Sequence, residues 1–343
     1  MDEITIKDIA RLCGVGVSTV SRAINNHPDI NPETKAMIMQ VIIENGYIPN
    51  NSARNLKRTD AKSIAVLVKG MTNPFFNDMI KIIEAEIKKK KYTLVLHHVE
   101  FNEDEVDVAL ELVKEKRLRG IIFLGGYFTH SDEKLNKLNV PFILSTVGRT
   151  PEMISRHSYS SISVDDLAES YKVVNYLIQL GHKNIAIISA GDDDESIGKL
   201  RLEGYRKALW DHELPINDRI IISMKQSNVQ YSMENGYEAA KELLASGESF
   251  TALYAIADTL AIGACRAFIE AGKKIPDDYS IMGFDGIEHG KYSTPSLTTL
   301  KQPVEEMAKA TVDLLFDILS GKKGHDHKIF AGELVIREST SEI

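Results

Sequence analysis

The sequence contains few residue spacings that could perform catalysis or hold a metal. Cys13 and Cys265 lie far apart, and neither belongs to a CxxC or a Cys/His cluster, so neither a disulfide framework nor a zinc site is expected. There is no HExxH, no nucleophile elbow and no Walker loop. Residues 14–19 read GVGVST, which lacks the preceding strand and the last glycine of a dinucleotide loop. We therefore expect no enzyme, no cofactor and no metal.

An acidic run at 192–195 is the remaining candidate for cation binding. It has no glycine-spaced calcium pattern, so a solvated turn near a pocket mouth is the simpler interpretation.

Length and composition indicate a soluble chain of more than one domain. The 343 residues, at roughly 150 per domain, predict two domains and a small third. The hydrophobic share of 43% and the charged share of 26% are those of a globular protein. Although the whole chain has a net charge of −8, residues 47–62 are basic on balance. No apolar run is long enough to span a membrane and residues 1–10 do not form a signal peptide, so a cytoplasmic protein is expected.

Three short helices are predicted in the first fifty residues. Thr5 and Asp8 form a variant of the capping box, and Gly14 ends the helix that follows. A second helix fits 17–24, and a third begins after Asn31, with a proline at its first position. This arrangement is typical of a helix-turn-helix, whose second helix enters the major groove of DNA.

The strings GVGVSTVSRAIN and GYIPNNSARNL resemble the DNA-binding headpiece and hinge of the lac/gal repressor family of bacterial transcription regulators. By this resemblance 1–48 is the headpiece, Val17 and Ser18 select bases, and Arg22 reaches a guanine. The chemistry agrees, because arginine can donate two bonds to guanine and valine can touch a thymine methyl. Gly16 stands where the family usually has serine. The alternative for Arg22 is a solvated surface arginine.

The resemblance also implies contacts with the DNA backbone and with the minor groove. Phosphate contacts fall on Thr5, Thr19, Ser21 and Asn25. The hinge, residues 49–61, would fold on DNA and insert Leu56 into the central base step, and a flexible linker is the alternative. Its further DNA-binding candidates are Asn50, Ala53 and Arg54.

From residue 63 onward, short apolar runs alternate with amphipathic helical patterns, and the pattern restarts near residue 161. This alternation predicts α/β architecture with doubly wound parallel sheets in two lobes. The pair resembles the periplasmic binding protein type of core that the repressor family carries. We expect one lobe from 62–161 plus 292–322 and the other from 162–291 plus 323–343. Within these segments, a helix at 304–319 returns to the first lobe and ELVIRES to the second.

Ligands of open α/β sheets bind beyond the carboxyl ends of the strands. The resemblance places effector contacts there, on Asn73, Phe75, Phe76, Arg201, Asp258 and Asp285. An arginine fork suits adjacent hydroxyls, carboxylates accept hydroxyl protons, and an aromatic ring packs on a sugar face. One or both phenylalanines could instead be core residues, and Asp258 could cap a helix.

These features predict a DNA-binding transcriptional repressor that binds a palindromic operator as a homodimer and is controlled by a sugar-like effector. Ala257 and Gly286 depart from the residues usual in the family, so a nucleobase, a sugar phosphate or a phosphorylated partner protein is the alternative controller. A stand-alone solute-binding protein or enzyme would need an export signal or catalytic residues. Apolar residues on more than one side of the predicted helix 74–90 suggest that one of its faces meets the dimer partner.

Overall fold

The chain is described by a computed structural model that separates into two compact units, Met1–Ala61 and Lys62–Ile343. The structure describes residues 4–24, 27–45, 47, 62–127, 130–148, 159–191, 194–225 and 230–343.

The first unit contains the three predicted helices: α1 (Ile6–Leu12), α2 (Val17–Ile24) and α3 (Pro32–Glu44). Their buried core consists of Ile9, Ala10, Val20, Ala23, Ile38 and Ile42. Gly14 has a φ of +63°, which lets the chain turn between α1 and α2 at little steric cost.

The predicted helix starts are confirmed by their hydrogen bonds. The carboxylate of Asp8 accepts from the backbone N–H of Thr5 at 3.0 Å and from its hydroxyl at 2.6 Å. These bonds, the hydroxyl bond foremost, lower the pKa of Asp8. At α3, the Asn31 Oδ1 accepts from the N–H groups of Glu33 and Thr34, and Pro32 occupies the first turn.

The second unit contains two six-stranded sheets. The first has the order β11-β5-β4-β3-β1-β2, and all its pairs are parallel. Its strands are β1 (Ser63–Lys69), β2 (Thr93–Val99), β3 (Leu118–Leu124), β4 (Phe142–Ser145), β5 (Ser160–Val164) and β11 (His327–Phe330). The second has the order β12-β10-β9-β8-β6-β7, with only β12 antiparallel. Its strands are β6 (Ile185–Ser189), β7 (Ile221–Ser223), β8 (Ala252–Ala255), β9 (Ser280–Asp285), β10 (Thr298–Lys301) and β12 (Glu333–Val335).

Helices cover both faces of each sheet, as near-continuous apolar strands require. Those of the first lobe are α4 (Phe75–Lys89), α5 (Glu105–Glu115), the short α6 (Asp132–Leu135) and α12 (Val304–Leu319). Those of the second are α7 (Asp166–Gln179), α8 (Ile197–Asp211), α9 (Met233–Ala245), α10 (Asp258–Glu270) and α11 (Glu288–Tyr292). None of the described helices is long and apolar enough to cross a membrane.

The predicted α/β architecture is confirmed, and the return of 304–319 to the first sheet and of ELVIRES to the second is also seen. The expected lobe boundaries need correction in three places. β5 and β11 pair within the first sheet although 162–164 and 327–330 were assigned to the second lobe, and β10 pairs within the second sheet although 292–322 was assigned to the first. Strand partners are non-local, so an apolar run identifies a strand without revealing which sheet it joins.

Candidate functional site

The exposed face of α2 carries the residues that the sequence places against DNA bases. Val17, Ser18 and Arg22 are exposed, whereas Val20 and Ala23 on the opposite face are buried in the core of the first unit. One cation and two short side chains of α2 therefore point away from the core, as is required of a helix that contacts bases in the major groove.

The proposed phosphate contacts differ in their local settings. Thr19 and Ser21 are half-buried on α2. The hydroxyl of Thr5 donates to Asp8, so a phosphate contact from Thr5 would require this bond to be exchanged. Asn25, Asn50, Ala53, Arg54 and Leu56 lie outside the described residues, as does the whole hinge segment 49–61.

In the second unit, loops that follow strands of both sheets meet at a cleft of about 670 Å³, a volume that includes its open mouth. This is the edge at which open α/β sheets bind ligands. Five of the six predicted effector residues line the cleft: Asn73, Phe75, Phe76, Arg201 and Asp285.

Asp285 joins the loops of the two sheets. Its Oδ2 accepts from the Asn73 amide at 3.0 Å, and its Oδ1 accepts from Gln302 at 2.9 Å and lies 3.5 Å from Nη1 of Arg201. Its φ is +114°, an unfavourable region for a residue with a Cβ. Such strain persists only where the surroundings enforce it, and it concentrates at functional sites. Burial raises the pKa of Asp285.

Arg201 is held in place by buried partners. Its Nε donates to Asp166 at 2.9 Å and its Nη1 donates to the carbonyl of Ile256 at 2.6 Å. The guanidinium lies 3.7 Å from the ring centroid of Phe284, a cation–π contact. Burial alone would lower the pKa of Arg201, but the negative charges of Asp166 and Asp285 outweigh it and raise the pKa. Arg201 is thus a fixed, permanently charged side chain that lines the cleft.

Asp166 is a cleft-supporting residue that the sequence analysis missed. It is buried in the first turn of α7, and its Oδ2 has no hydrogen-bond partner among the described atoms. Burial raises its pKa to about 6 in spite of the neighbouring Arg201. Its place in the first turn of a helix that follows a buried strand is a signal that could have found it.

The two phenylalanines both line the cleft and both pack in the core. Phe75 and Phe76 are buried, and their rings meet edge to face with centroids 5.4 Å apart. The N–H of Phe75 donates to Asn73 Oδ1, so Asn73 fixes the start of α4 and also faces Asp285. Both phenylalanines can therefore belong to the core and also face a ligand in the cleft.

Asp258 does not line the cleft, and its assignment as an effector contact needs correction. The side chain is fully buried, its Oδ1 accepts from the Thr299 hydroxyl at 2.6 Å and its Oδ2 accepts from the N–H of Ile287 at 2.8 Å. The helix-cap alternative is also wrong, because Ala257 is the N-cap of α10. Asp258 instead ties α10 to the loop after β9 and to β10.

A charged cluster beside the cleft was not predicted. Lys69, at the end of β1, donates to Glu105 Oε2 at 3.1 Å and to the carbonyl of Glu103 at 2.6 Å. Glu105 Oε1 accepts from the N–H of Tyr127 at 2.8 Å and lies 2.7 Å from His130 Nε2. Burial alone would raise the pKa of Glu105, but the hydrogen bond and charge of His130 and the charge of Lys69 lower it. A lysine that ends an apolar strand was the signal for this cluster.

The cleft also has lining residues that no sequence motif marked: Phe101, Tyr127, Thr146, Tyr231 and Gln302. Each follows a strand at the same edge of its sheet, so a complete inspection of post-strand residues would have found them. Among the described residues there is no group of three or more His, Cys, Asp or Glu side chains that could hold a metal ion.

An exposed helix-turn-helix and a ligand cleft between two parallel sheets define a DNA-binding transcription regulator with an effector-binding core. Residues 5–50 match the family described as bacterial regulatory proteins, lacI family, and residues 174–340 match a periplasmic binding protein-like domain. The chain is 42% identical over 341 residues to the HTH-type transcriptional regulator MalR of Clostridium butyricum, covering 98% of this chain and 99% of that protein. The protein therefore belongs to the lacI family of bacterial transcription regulators.

Solved structures agree with this assignment. The lac repressor dimer bound to operator and the anti-inducer ONPF is 25% identical, with a TM-score of 0.73 over 99% of this chain and all of that chain. A LacI family transcriptional regulator from Enterococcus faecium with bound ribose is 30% identical, with a TM-score of 0.69 over 82% of this chain and all of that chain. The relatives are regulators, which confirms the expectation that the chain is not an enzyme.

Proposed function

We propose that the chain is a cytoplasmic repressor that binds a palindromic operator as a homodimer and responds to a sugar that binds in the cleft of the second unit. The observation that carries this proposal is the cleft, in which Arg201, Asp285 and Asn73 present a guanidinium, a carboxylate and an amide beside aromatic rings. These groups suit hydroxyls and the apolar face of a pyranose. The related regulator from Enterococcus faecium holds ribose.

Base recognition is assigned to α2. Arg22 would donate two hydrogen bonds to guanine O6 and N7, and Val17 would contact a thymine methyl, with Ser18 between these two base contacts. Their exposure on one face of α2 supports the assignment. Arg22→Ala should weaken binding to the operator by about 1–3 kcal/mol and abolish the preference for guanine at one symmetric position of each half-site. Loss of affinity for all sequences alike would reassign Arg22 to a phosphate.

Thr5, Thr19, Ser21 and Asn25 would contact phosphates, and the hinge would contribute Asn50, Ala53, Arg54 and Leu56. Leu56 would wedge into the central base step, which kinks the duplex and is specific to the operator. Leu56→Ala should therefore reduce affinity for a palindrome of roughly 14 to 20 base pairs while nearly retaining non-specific binding. Filter binding at matched salt measures both affinities. Equal losses on operator and random DNA would contradict the wedge.

The proposed dimer uses part of α4. Met79, Ile83 and Ile87 are fully buried, whereas Ile80 and Ile82 are half-exposed and flank this buried face on its two sides. A twofold partner would cover these isoleucines, and the related lac repressor is a dimer. Analytical ultracentrifugation should show a dimer for the unaltered chain and a shift toward monomer for Ile80→Glu. A monomeric unaltered chain at micromolar concentration would refute the homodimer.

Effector binding is tested by thermal-shift measurements with neutral sugars and by operator release. Arg201→Ala and Asp285→Asn should abolish the sugar-dependent increase in melting temperature, because both residues line the cleft. Asp258→Asn is the matched control, since Asp258 is an equally buried acid that does not line the cleft. Stabilisation that survives Arg201→Ala would place the ligand elsewhere.

A further inference from the structure

Cations are concentrated where three adjacent strands of the first sheet begin. The strands of this sheet are parallel, so they all begin at one edge, and the helices between them run back to that edge. Ser63 pairs with the first residue of β2 and with the first residue of β3, so β1, β2 and β3 begin at one level and span ~10 Å. The segments that lead into them, residues 62, 88–92 and 114–119, therefore form one surface, the basic edge.

The basic edge is far more positive than the rest of the chain. Its nine lysines and arginines are exposed, and they are Lys62, the run 88–91, Lys114, Lys116, Arg117 and Arg119. Glu115 carries the single carboxylate of the same segments. Because the whole chain has a net charge of −8, this positive charge is a local feature and not a property of the composition.

Two of the nine cations are neutralised by carboxylates from nearby helices. Lys89 Nζ lies 2.7 Å from Glu86 Oε1, and Lys90 Nζ lies 3.0 Å from Asp313 Oδ1. The other seven have no carboxylate within 4.0 Å among the residues that the structure describes. Their charges are therefore available to an anionic partner.

The helix dipole explains only part of this pattern. Cations are favoured in the last turn of a helix, and Lys88 and Lys89 lie in the last turn of α4 while Lys114 lies in that of α5. The other six cations lie at or beyond the helix ends, where the dipole effect has faded.

Lys91 occupies a position that the backbone would rather give to glycine. It follows the C-cap of α4 and has a φ of +63°. Glycine is usual at this position because it has no Cβ to resist a positive φ. A lysine that is held in a strained conformation on the surface is a sign of a functional role for its side chain.

The second sheet has no comparable edge. Its adjacent strands β6, β8 and β9 also begin together, since all three are parallel. The segments that lead into them hold lysines and carboxylates in equal number: Lys183, Lys273 and Lys274 against Glu248, Asp277 and Asp278. A surplus of cations is thus not a general consequence of the parallel fold.

DNA is the polyanion that best fits the basic edge. The protein belongs to a family of DNA-binding regulators, and Lys62 is the first residue of the second unit. The chain that comes from the helix-turn-helix therefore enters the second unit at this edge. Duplex DNA carries one phosphate charge per ~1.7 Å of its axis, so a surface ~10 Å long can face about six phosphate charges.

We propose that the basic edge is a second DNA-contacting surface, which binds backbone phosphates without regard to base sequence and adds to the affinity that the helix-turn-helix provides. Lysine is suited to this role, because its ammonium group is a point charge on a flexible stem and phosphate contacts carry no sequence information. The proposal is independent of the identity of the effector.

Fluorescence anisotropy with a random-sequence duplex of about 40 base pairs, titrated with the full chain between about 50 and 200 mM salt, tests the proposal. The variant Lys88→Gln/Lys91→Gln/Lys116→Gln should raise the Kd about tenfold and reduce the slope of log affinity against log salt by about 1 to 3. Lys183→Gln/Lys273→Gln/Lys274→Gln is the matched control, because it removes the same charge from exposed lysines of the second sheet. Its Kd should change less than twofold.

Lys91→Gly separates DNA binding from folding. Glycine should relieve the positive φ and raise the urea midpoint of unfolding, while loss of the ammonium group should raise the Kd for DNA about twofold. Weaker binding by a more stable protein is not a consequence of misfolding.

Three results would overturn the basic edge as a DNA-contacting surface. The first is an equal effect of the triple variant and its control, and the second is a salt slope that stays unchanged in the triple variant. The third is a loss that appears on a palindromic operator selected from a random pool but not on random DNA, because phosphate contacts would weaken both. Each of these results leaves base recognition by α2 intact, since Arg22→Ala tests it separately.

Discussion

Replacement of Asp258 by asparagine should make the stability of the protein less sensitive to pH. The carboxyl of Asp258 is fully buried, and burial, with a contribution from the charge of Asp285, raises its pKa to about 8. An asparagine can keep the present geometry, because its Oδ1 can accept from the N–H of Ile287 and its Nδ2 can donate to Thr299 Oγ1. The variant therefore removes a titrating proton with little change in packing.

The direction in which stability changes with pH follows from proton linkage. The pKa of an unfolded aspartate is about 3.9, so between about pH 4 and pH 8 the folded protein binds one more proton at Asp258 than the unfolded chain does. The stability contribution of this group is fully present below pH 4 and is lost as the pH rises through about 8. The slope is about 1.4 kcal/mol per pH unit. Asparagine binds no proton in either state, so the variant does not lose this stability.

Urea unfolding of both proteins at pH 5, 6 and 7 measures the effect. The free energy of unfolding of Asp258→Asn, relative to the unaltered chain, should increase by about 3 kcal/mol from pH 5 to pH 7. Effector binding should be retained, because the side chain does not line the cleft. A difference that is the same at all three pH values would refute the buried neutral carboxyl, and a lost sugar response would restore Asp258 to the effector site.

Three further predictions concern stability. Asn31→Ala should lower the free energy of unfolding of the headpiece by about 1 kcal/mol through loss of its cap, seen as faster amide exchange in α3, and unchanged exchange would contradict this role. Gly263→Ala should destabilise by about 1–3 kcal/mol in urea unfolding, because its Cβ would lie 1.9 Å from the carbonyl of Met233, whereas Gly324→Ala, with nothing within 4 Å, is the neutral control. Burial lowers the pKa of His182, so the stability that the neutral imidazole contributes is present above about pH 6.5 and is lost as the pH falls through the lowered pKa. His182→Gln should remove this acid-dependent loss of stability. Identical curves of unfolding free energy against pH for the variant and the unaltered chain would contradict the prediction.

The headpiece was the part of the fold most open to prediction, because its signals are local. Thr5 with Asp8 and Asn31 with its following proline mark helix starts through bonds within one turn, and both are present. Periodicity likewise identified most strands and helices of the second unit, but not β10, β11, α6 or α11. It could not assign β5, β10 and β11 to their sheets, since that choice depends on which edge is available after the rest of the chain has folded.

Cleft residues were predicted where they follow a strand. The residues that hold them in place from other parts of the chain were missed. Arg201 and Asp285 were found, but Asp166, which holds Arg201, is far from it in sequence and has no motif of its own. The same is true of Glu105, which acts on Tyr127 through a backbone bond. Asp258 was misassigned because a carboxylate beside a strand end can face either the cleft or the layer beneath it, and tertiary packing decides between them.

The bond between Asn73 and Asp285 links ligand binding to the closure of the cleft. It is a direct contact between the loops after β1 and β9, one from each sheet, and it uses the carboxylate that a sugar hydroxyl would need. A ligand that displaces this bond removes a contact between the two loops unless it contacts both of them itself. Ligands shift a conformational equilibrium only by the difference in their affinities for its states. On the proposed function, a sugar that contacts both Asn73 and Asp285 would hold the two loops together, whereas a sugar that contacts only the second sheet would not.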